Sequence, residues 1–277
     1  MVPELVNALA ILAVKNEQRH IPFVLEALIN EGLDVVLLDD GSSDNTVELA
    51  KPLLGKGLLD IHSRPDQGKF DWTNVLKWKE KVARSYDHEW LVHVDADEWL
   101  QHPLPNHSLM DLIVEADTVG ATAIDFEEFT FLPTPELVLG EDARRVLTSY
   151  YWHKPEASGY LRAWKRSARL TNSRTGGHGL HPVFPWLAKR LIVHKVKGIL
   201  RHYPILSSEH LKEKYQSRVF SNKEVAKGWH IDRIPLSKWD FILSFNHHVF
   251  SLKTTEDKSF NRSRPTSLHF WYPEWSE

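Results

Sequence analysis

Short apolar runs alternate with amphipathic segments along the first hundred residues. The apolar runs are rich in aliphatic and β-branched residues, predict buried strands, and cover residues 8–14, 34–39, 58–63 and 90–94. The segments between them have helical spacing and cover residues 21–30, 46–54 and 72–85. This alternation predicts an α/β fold with a mostly parallel, doubly wound sheet and helices on both of its faces.

Three of the predicted strands are followed directly by clusters of polar residues. These clusters are Lys15-Asn16-Glu17, Asp39-Asp40 and the stretch from Asp95 to Glu98. In parallel sheets, ligands bind beyond the carboxyl ends of the strands. We therefore expect the three clusters to border one common crevice.

The acidic stretch after the fourth strand is the most informative of these clusters. Asp95, Asp97 and Glu98 follow the apolar residues 90–94, and carboxylates in such a place repel one another and lose hydration. Mg²⁺ or Mn²⁺ would stabilise them, and such an ion usually also binds a substrate phosphate. The alternative interpretation is a solvated acidic turn that ends the strand.

The second strand ends in Asp39 and Asp40, which begin an Asp-Gly-Ser-Ser-Asp sequence. Turn formation explains the residues that follow, but it explains two adjacent carboxylates after a buried strand less well. An aspartate at this place is suited to accept hydrogen bonds from a ribose hydroxyl or a base N–H. The sequence has neither a Gly-x-Gly-x-x-Gly motif after the first strand nor a P-loop, which leaves a nucleotide whose phosphates are neutralised by a metal.

Composition narrows the class of protein. The 277 residues, 42% hydrophobic and 26% charged, suffice for one large α/β domain or two small ones. A net charge of -3 argues against a nucleic-acid partner. The absence of cysteine excludes disulfides and thiolate metal sites, and residues 8–14 are too short to span a bilayer. We expect a soluble cytoplasmic protein without a transmembrane segment, and peripheral contact with a membrane stays open.

Three motifs carry a resemblance to a known family: VKNE at the end of the first strand, VVLLDDGSSDNT, and VHVDADEW with its Asp-x-Asp sequence. Residues 5–105 resemble family-2 glycosyltransferases of the GT-A fold. The resemblance implies one continuous GT-A domain, with a nucleotide-sugar-binding half at 1–108 and an acceptor-side half with a C-terminal extension at 109–277. It also implies a nucleoside-diphosphate sugar donor, a carbohydrate or lipid-linked acceptor, and a role in polysaccharide biosynthesis.

Carried over to this sequence, the resemblance assigns a nucleotide site. Asp40 would contact the nucleobase or ribose, with Asp39 beside it. Lys15 and Glu17 would line the nucleotide pocket. Lys69 could reach a phosphate, although an exposed lysine before a helix is the more common outcome.

The resemblance also implies a Mn²⁺ or Mg²⁺ site. Asp97 would bind the ion directly, while Asp95 would lie nearer the ribose or a metal-bound water. A histidine from the C-terminal part often completes this shell, and His202 is the first choice because it ends a strand-like run before a proline. His178 and His181 are the second choices.

The implied mechanism is an inverting transfer, which needs a carboxylate base at the acceptor hydroxyl. The sequence has no obvious acidic pair of the kind usual in the family. Glu127 and Glu128 follow an apolar strand and are the first candidates for this base. Glu141 and Asp142 are the second candidates.

The remaining aromatic and basic residues support weaker expectations. Trp72, Trp78 and Trp90 are expected in the core. One or two of three further tryptophans could line an acceptor cleft, although core packing is the simpler expectation for each. These tryptophans are Trp152, Trp164 and Trp186. Residues 209–227 alternate in charge and predict a solvated helix. Three basic side chains of this helix could reach a diphosphate or an anionic lipid: Lys212, Lys214 and Arg218.

Two other classes of protein stay open. A nucleotidyltransferase that resembles sugar-nucleotide pyrophosphorylases would share the sheet and the metal site, but its usual glycine-rich opening is missing. A non-catalytic module that binds a nucleotide or a carbohydrate would keep the acidic strand ends without turnover. The sequence does not identify the donor sugar, the nucleobase or the acceptor.

Overall fold

The computed structural model describes residues 6–134, 137, 139–155, 159–215, 218–226 and 246–276. The strands are β1 (Ala8–Val14), β2 (Asp34–Asp39), β3 (Leu58–Ser63), β4 (Trp90–Val94), β5 (Glu98–Gln101), β6 (Ala123–Phe131), β7 (Ser149–His153), β8 (Tyr160–Lys165), β9 (Leu170–Thr171), β10 (His181–Pro182), β11 (Gly198–His202) and β12 (Phe250–Ser251). The helices are α1 (Ile21–Asn30), α2 (Thr46–Ala50), α3 (Trp72–Ala83), α4 (Leu109–Thr118), α5 (Ala143–Val146), α6 (Ser208–Tyr215) and α7 (Asn222–Ala226).

Within the described residues, ten of the strands form one mixed sheet in which β4, β1, β2 and β3 are neighbours in that order and pair in parallel. The second half of the chain joins by antiparallel pairing of β8 with β4 and of β11 with β5. This architecture confirms the predicted GT-A type of α/β fold. Strands of both halves share the sheet, and the division at residue 108 stays a prediction.

The core forms where the predicted apolar runs face the helices. β1 and β2 are almost wholly buried, and they pack with β4, α1 and α4 in the largest apolar cluster. Trp90 is fully buried in this cluster, as expected for a core residue. Trp78 is partly buried in a second cluster on β1 and β2. A rigid double-sided core therefore fixes the carboxyl ends of β1, β2 and β4.

Four predicted elements have different bounds in the structure. The helix predicted over 72–85 is α3, which ends at Ala83. The helix predicted over 46–54 is α2 followed by a 3-10 turn at Lys51–Leu53, because Pro52 has no N–H to continue the α-helix. The strand-like run at 191–200 is irregular until β11 begins at Gly198.

The helix predicted over 209–227 is two helices, α6 and α7. Between them Phe220 forms a β-bridge with Phe70, which interrupts the helical hydrogen bonds. Residues 216–217 and 227 lie outside the described part of the chain.

The turn after β2 depends on Gly41, whose φ is +77°. An added Cβ would lie 2.6 Å from the Asp66 Cα. We expect Gly41→Ala to lower the free energy of unfolding by about 2 kcal/mol or more, from left-handed strain and this clash. Gly55→Ala is the matched control, because Gly55 has a φ of +73° but no neighbour within 4 Å, and about 1 kcal/mol is expected there. Equal losses in urea denaturation would exclude the clash.

Candidate active site

A cavity of about 260 Å³ lies at the carboxyl ends of β1, β2 and β4. It is the crevice expected from the polar strand ends. Its charged and titratable lining residues are Lys15, Glu17, Asp40, Asp95, Asp97, Glu98, His178, His202, Lys214 and Arg218. Asp40 and Asp97, which stand 57 positions apart in the sequence, thus border one hollow.

The Asp95–Glu98 turn is held by a buried ion pair. The Arg162 guanidinium on β8 is 1% exposed and contacts the Glu98 carboxylate, whose other oxygen accepts a hydrogen bond from the Asp95 N–H at 3.1 Å. Burial raises the pKa of Glu98 to about 7, against the opposing charge of Arg162. Both charges are removed from water, which costs desolvation free energy. The pair fixes the orientation of the turn that carries Asp95 and Asp97.

Lys214 on α6 is the cation closest to Asp97. Its Nζ lies 2.9 Å from the Asp97 Oδ2 and 3.5 Å from the Glu17 Oε1. Burial lowers the pKa of Lys214, but the carboxylates of Asp97 and Glu17 outweigh burial and raise it above its usual value. Burial likewise opposes ionisation of Asp97, but Lys214 and His202 hold its pKa well below the usual range. Both groups are therefore charged at neutral pH.

His202, at the end of β11, lies between two carboxylates. Its Nδ1 is 2.6 Å from the Glu128 Oε1, and its Nε2 is 3.7 Å from the Asp97 Oδ2. Burial lowers the pKa of His202, but Glu128 and Asp97 raise it to about 10. A carboxylate on one ring nitrogen is the usual way in which proteins orient a metal-binding histidine.

Neither first candidate for the catalytic base, Glu127 or Glu128, lines the cavity. Glu128 is 3% exposed, bonds to His202 and accepts a hydrogen bond from the Thr130 hydroxyl at 2.7 Å. Glu127 points to the other face of β6, as alternation along a strand requires, and pairs with Arg262 at 2.8 Å. Both carboxylates are bound to other partners within the described residues.

The second candidates lie outside the main cavity as well. Asp142 pairs with Arg144 at 2.8 Å and lines a cavity of about 20 Å³ that it shares with Asp97 and Glu98. Glu141, directly before it, is exposed and lines neither cavity.

The predicted nucleotide residues divide into two sets. Lys15 and Asp40 line the cavity, and the Asp40 Oδ1 accepts a hydrogen bond from the Arg64 Nε at 2.5 Å. Asp39 does not line it, because its Oδ1 accepts a hydrogen bond from the Ser42 N–H at 3.0 Å. Asp39 therefore forms the turn, and Asp40 faces the hollow.

The remaining predicted phosphate and metal residues, Lys69, His178 and His181, have different positions relative to the cavity. Lys69 is exposed and lines a neighbouring hollow of about 220 Å³, which shares Lys15 and Lys214 with the main cavity. His178 lines the main cavity. His181 lies on β10, is exposed and does not line it.

The tryptophans correct a second expectation. Trp72, predicted in the core, is only half-buried, lines the cavity and donates a hydrogen bond from its indole Nε1 to the Gly176 carbonyl at 2.8 Å. None of the tryptophans proposed for an acceptor cleft lines the cavity: Trp152, Trp164 and Trp186.

Comparison with known families decides the class of protein. The family described as Glycosyl transferase family 2 matches residues 10–168, which is more than half of the 277 residues. The chain belongs to glycosyl transferase family 2. This assignment confirms the resemblance seen in the three motifs.

Solved structures similar to this family member include two crystal structures of TarS from S. aureus. TarS is 13% identical over 76% of this chain and 38% of its own, with a TM-score of 0.46. Its fragment 1–349 in complex with UDP-GlcNAc is 13% identical over 76% of this chain and 64% of its own, with a TM-score of 0.43. The chain thus spans less than two thirds of the length of either.

A third similar structure is glucosyl-3-phosphoglycerate synthase from Mycobacterium tuberculosis in complex with Mn²⁺, UDP and glucosyl-3-phosphoglycerate. It is 19% identical over 44% of each chain, with a TM-score of 0.29. No curated protein sequence matches the chain. No helix in the described residues combines the length and hydrophobicity that a membrane crossing needs.

Two predicted metal ligands of this glycosyltransferase family member, Asp97 and His202, have the spacing that one divalent ion requires, whereas Asp95 does not bring a third ligand atom within 4.8 Å of both. Two ligand atoms of one ion lie about 3 to 4 Å apart, and the Asp97 Oδ2 and the His202 Nε2 are 3.7 Å apart. The Asp95 Oδ1 is buried and has no hydrogen-bond partner within the described residues. Carboxylate oxygens with one imidazole suit Mn²⁺, and also Mg²⁺.

Lys214 is the cavity residue whose environment differs most from the one its sequence context predicts. It was predicted on a solvated face, whereas it is 7% exposed. Leu211 and Tyr215 are also buried on α6. Counted from Leu211, Lys214 and Tyr215 stand at i+3 and i+4, which is the spacing of the buried face of a helix. That spacing was the available signal. Lys212 is exposed, as predicted, and Arg218 lines the cavity.

The contact between Glu128 and His202 supports a testable role in metal binding. We expect Glu128→Gln to weaken Mn²⁺ affinity about 10- to 100-fold, because the amide no longer fixes the imidazole as a charged acceptor does. Electron paramagnetic resonance of free Mn²⁺ measures this directly. Glu127→Gln is the matched control, since Glu127 lies on the other face of β6. Unchanged affinity in Glu128→Gln would remove Glu128 from the metal site.

Proposed function

We propose that the protein is a metal-dependent glycosyltransferase that moves a sugar from a nucleoside-diphosphate sugar to an acceptor hydroxyl, with inversion at the anomeric carbon. One observation carries the proposal: carboxylates from two separate strand ends, Asp40 and Asp97, face one cavity together with His202. A solvated acidic turn would not bring together carboxylates from two separate strand ends and a histidine. The family assignment agrees with this chemistry.

The nucleoside would bind on the β2 side of the cavity. Asp40, held by Arg64 at 2.5 Å, offers its carboxylate to a ribose hydroxyl or a base N–H. Lys15 borders the same side. The half-buried indole of Trp72 lines the cavity as well and offers an apolar face for a base or a sugar.

The diphosphate would lie on the β4 side, between Asp97 and α6. Asp95, Asp97 and His202 would hold Mn²⁺ or Mg²⁺, which, when bound, neutralises charge on the departing diphosphate. Lys214 and Arg218 line the same side and place further positive charge where the leaving group gains negative charge.

The biological setting belongs to the same proposal. We propose a carbohydrate or lipid-linked acceptor and a role in polysaccharide assembly in the cytoplasm, which the family resemblance and the lack of cysteine support. Glu127 and Glu128 are not proposed as the base, because both have other partners.

A donor screen tests the function. The protein is incubated with a panel of nucleotide sugars and Mn²⁺, and free nucleoside diphosphate is measured with and without EDTA. We expect release from one class of donor, and loss of release in EDTA. Consumption of pyrophosphate would instead indicate a nucleotidyltransferase, and binding without turnover across acceptors would indicate a non-catalytic module. The anomeric configuration of the product, determined by NMR, tests inversion.

A further inference from the structure

We propose that residues 183–197 form a surface that docks on an anionic lipid bilayer. This basic apolar surface presents six exposed apolar side chains: Val183, Phe184, Trp186, Ile192, Val193 and Val196. Trp186 is 76% exposed and stacks on Phe184 with ring centroids 4.7 Å apart. Large apolar side chains grouped in this way on a surface indicate a binding face.

The exposed side chains project from an ordered backbone. The Thr122 N–H donates a hydrogen bond to the Ile192 carbonyl at 2.7 Å, and the His194 N–H donates one to the Ala123 carbonyl at 2.8 Å. Leu187 is buried beneath the surface. The apolar groups are therefore held outward by the fold, so a bilayer can bind them without ordering a loose loop.

The basic apolar surface carries a net positive charge. Residues 181–198 contain four lysines and arginines and no acidic residue. Lys197 pairs with Asp125 at 2.6 Å, and Arg190 donates a hydrogen bond to the Ser167 carbonyl at 3.1 Å. Lys189 and Lys195 are exposed and have no carboxylate partner within the described part of the chain. Their free ammonium groups complement an anionic membrane surface.

The composition favours a bilayer over a protein partner. Lysine is depleted in protein–protein interfaces, whereas Trp and Phe beside Lys and Arg are typical of segments that lie in the membrane interface. The basic helix considered from the sequence is a poorer membrane contact, because its Lys214 is buried against Asp97.

In the sequence, the surface follows within five residues a segment that lines the candidate active site. Gly176 and His178 line the cavity, β10 follows at His181–Pro182, and the basic apolar surface begins at the next residue. Docking would bring the cavity wall close to lipid-linked acceptors. This consequence rests on the proposed function, whereas bilayer binding does not.

Vesicle sedimentation tests the proposal with the full chain. Vesicles of phosphatidylcholine with phosphatidylglycerol are compared with vesicles of phosphatidylcholine alone. We expect Phe184→Ser with Trp186→Ser to weaken binding to the anionic vesicles at least tenfold, and Lys189→Gln with Lys195→Gln to weaken it about 30-fold. Matched controls on other exposed positions, Val119→Ser and Lys56→Gln with Lys77→Gln, should bind as the natural protein does.

Circular dichroism and nucleotide binding establish that each variant is folded. Equal vesicle binding by the natural protein and the Phe184/Trp186 variant would overturn the proposal. An absence of vesicle binding by the natural protein would also overturn the proposal. This includes the outcome in which the natural protein binds no vesicles and sedimentation velocity shows that the surface mediates self-association. Loss of transfer activity with vesicle binding intact would count against the proposed function and leave the docking surface standing.

Discussion

Asp97→Asn is expected to lower transfer from the nucleotide sugar about a thousandfold. The carboxylate is the nearest acidic neighbour of both His202 and Lys214 in the cavity, at 3.7 and 2.9 Å. An amide binds a divalent ion far more weakly than a carboxylate does, and the loss of charge stabilisation on a leaving diphosphate is worth several kcal/mol. Initial rates at saturating donor and Mn²⁺ measure the effect.

Asp87→Asn is the control for this substitution, because Asp87 is exposed and does not line the cavity. The control should retain the rate of the natural protein. Circular dichroism of Asp97→Asn checks that the fold is retained. If Asp97→Asn kept more than about a tenth of the natural rate, Asp97 would not be the metal ligand that the account requires.

Arg162→Met is expected to cause the largest loss of stability, about 3 to 5 kcal/mol. The substitution leaves the Glu98 carboxylate 4% exposed without its guanidinium partner, and an unpaired buried charge costs far more than a lost surface ion pair. It also removes the hydrogen bond from Arg162 to the Gly177 carbonyl at 3.2 Å. Urea denaturation measures the difference in the free energy of unfolding.

A double substitution separates the charge from the packing. Arg162→Met with Glu98→Gln removes both charges, so we expect it to recover a large part of the loss. Arg174→Met, at an exposed arginine, should change stability by less than about 0.5 kcal/mol. A loss below about 1 kcal/mol in Arg162→Met would show that the pair is not a buried ion pair in solution.

The sequence predicted the elements that local periodicity determines. The bounds of β1, β2, β3 and β4 match the predicted runs, and α1 begins and ends where its apolar spacing does. The grouping of Asp40 with Asp97 also followed, because parallel strands place their carboxyl ends at one edge of a sheet.

The sequence did not predict the side-chain contacts that depend on pairing between distant segments of the chain. Glu128 meets His202 only because β6 pairs with β11 in parallel, 74 residues further along the chain. The burial of Lys214 depends on the contact of α6 with the segments after β1 and β4, where its Nζ meets Glu17 and Asp97. The charged residues around Lys214 in the sequence obscured the buried face. Both residues acquire their chemistry from partners that no local pattern identifies.

A crystal structure with the matching nucleoside diphosphate and Mn²⁺ tests the central claim most directly. We expect one cation between the diphosphate and the Asp97 carboxylate, with the His202 Nε2 as a ligand and the nucleoside toward Asp40. A nucleotide bound outside this cavity, or a diphosphate bound by Lys214 and Arg218 with no cation at Asp97, would contradict it.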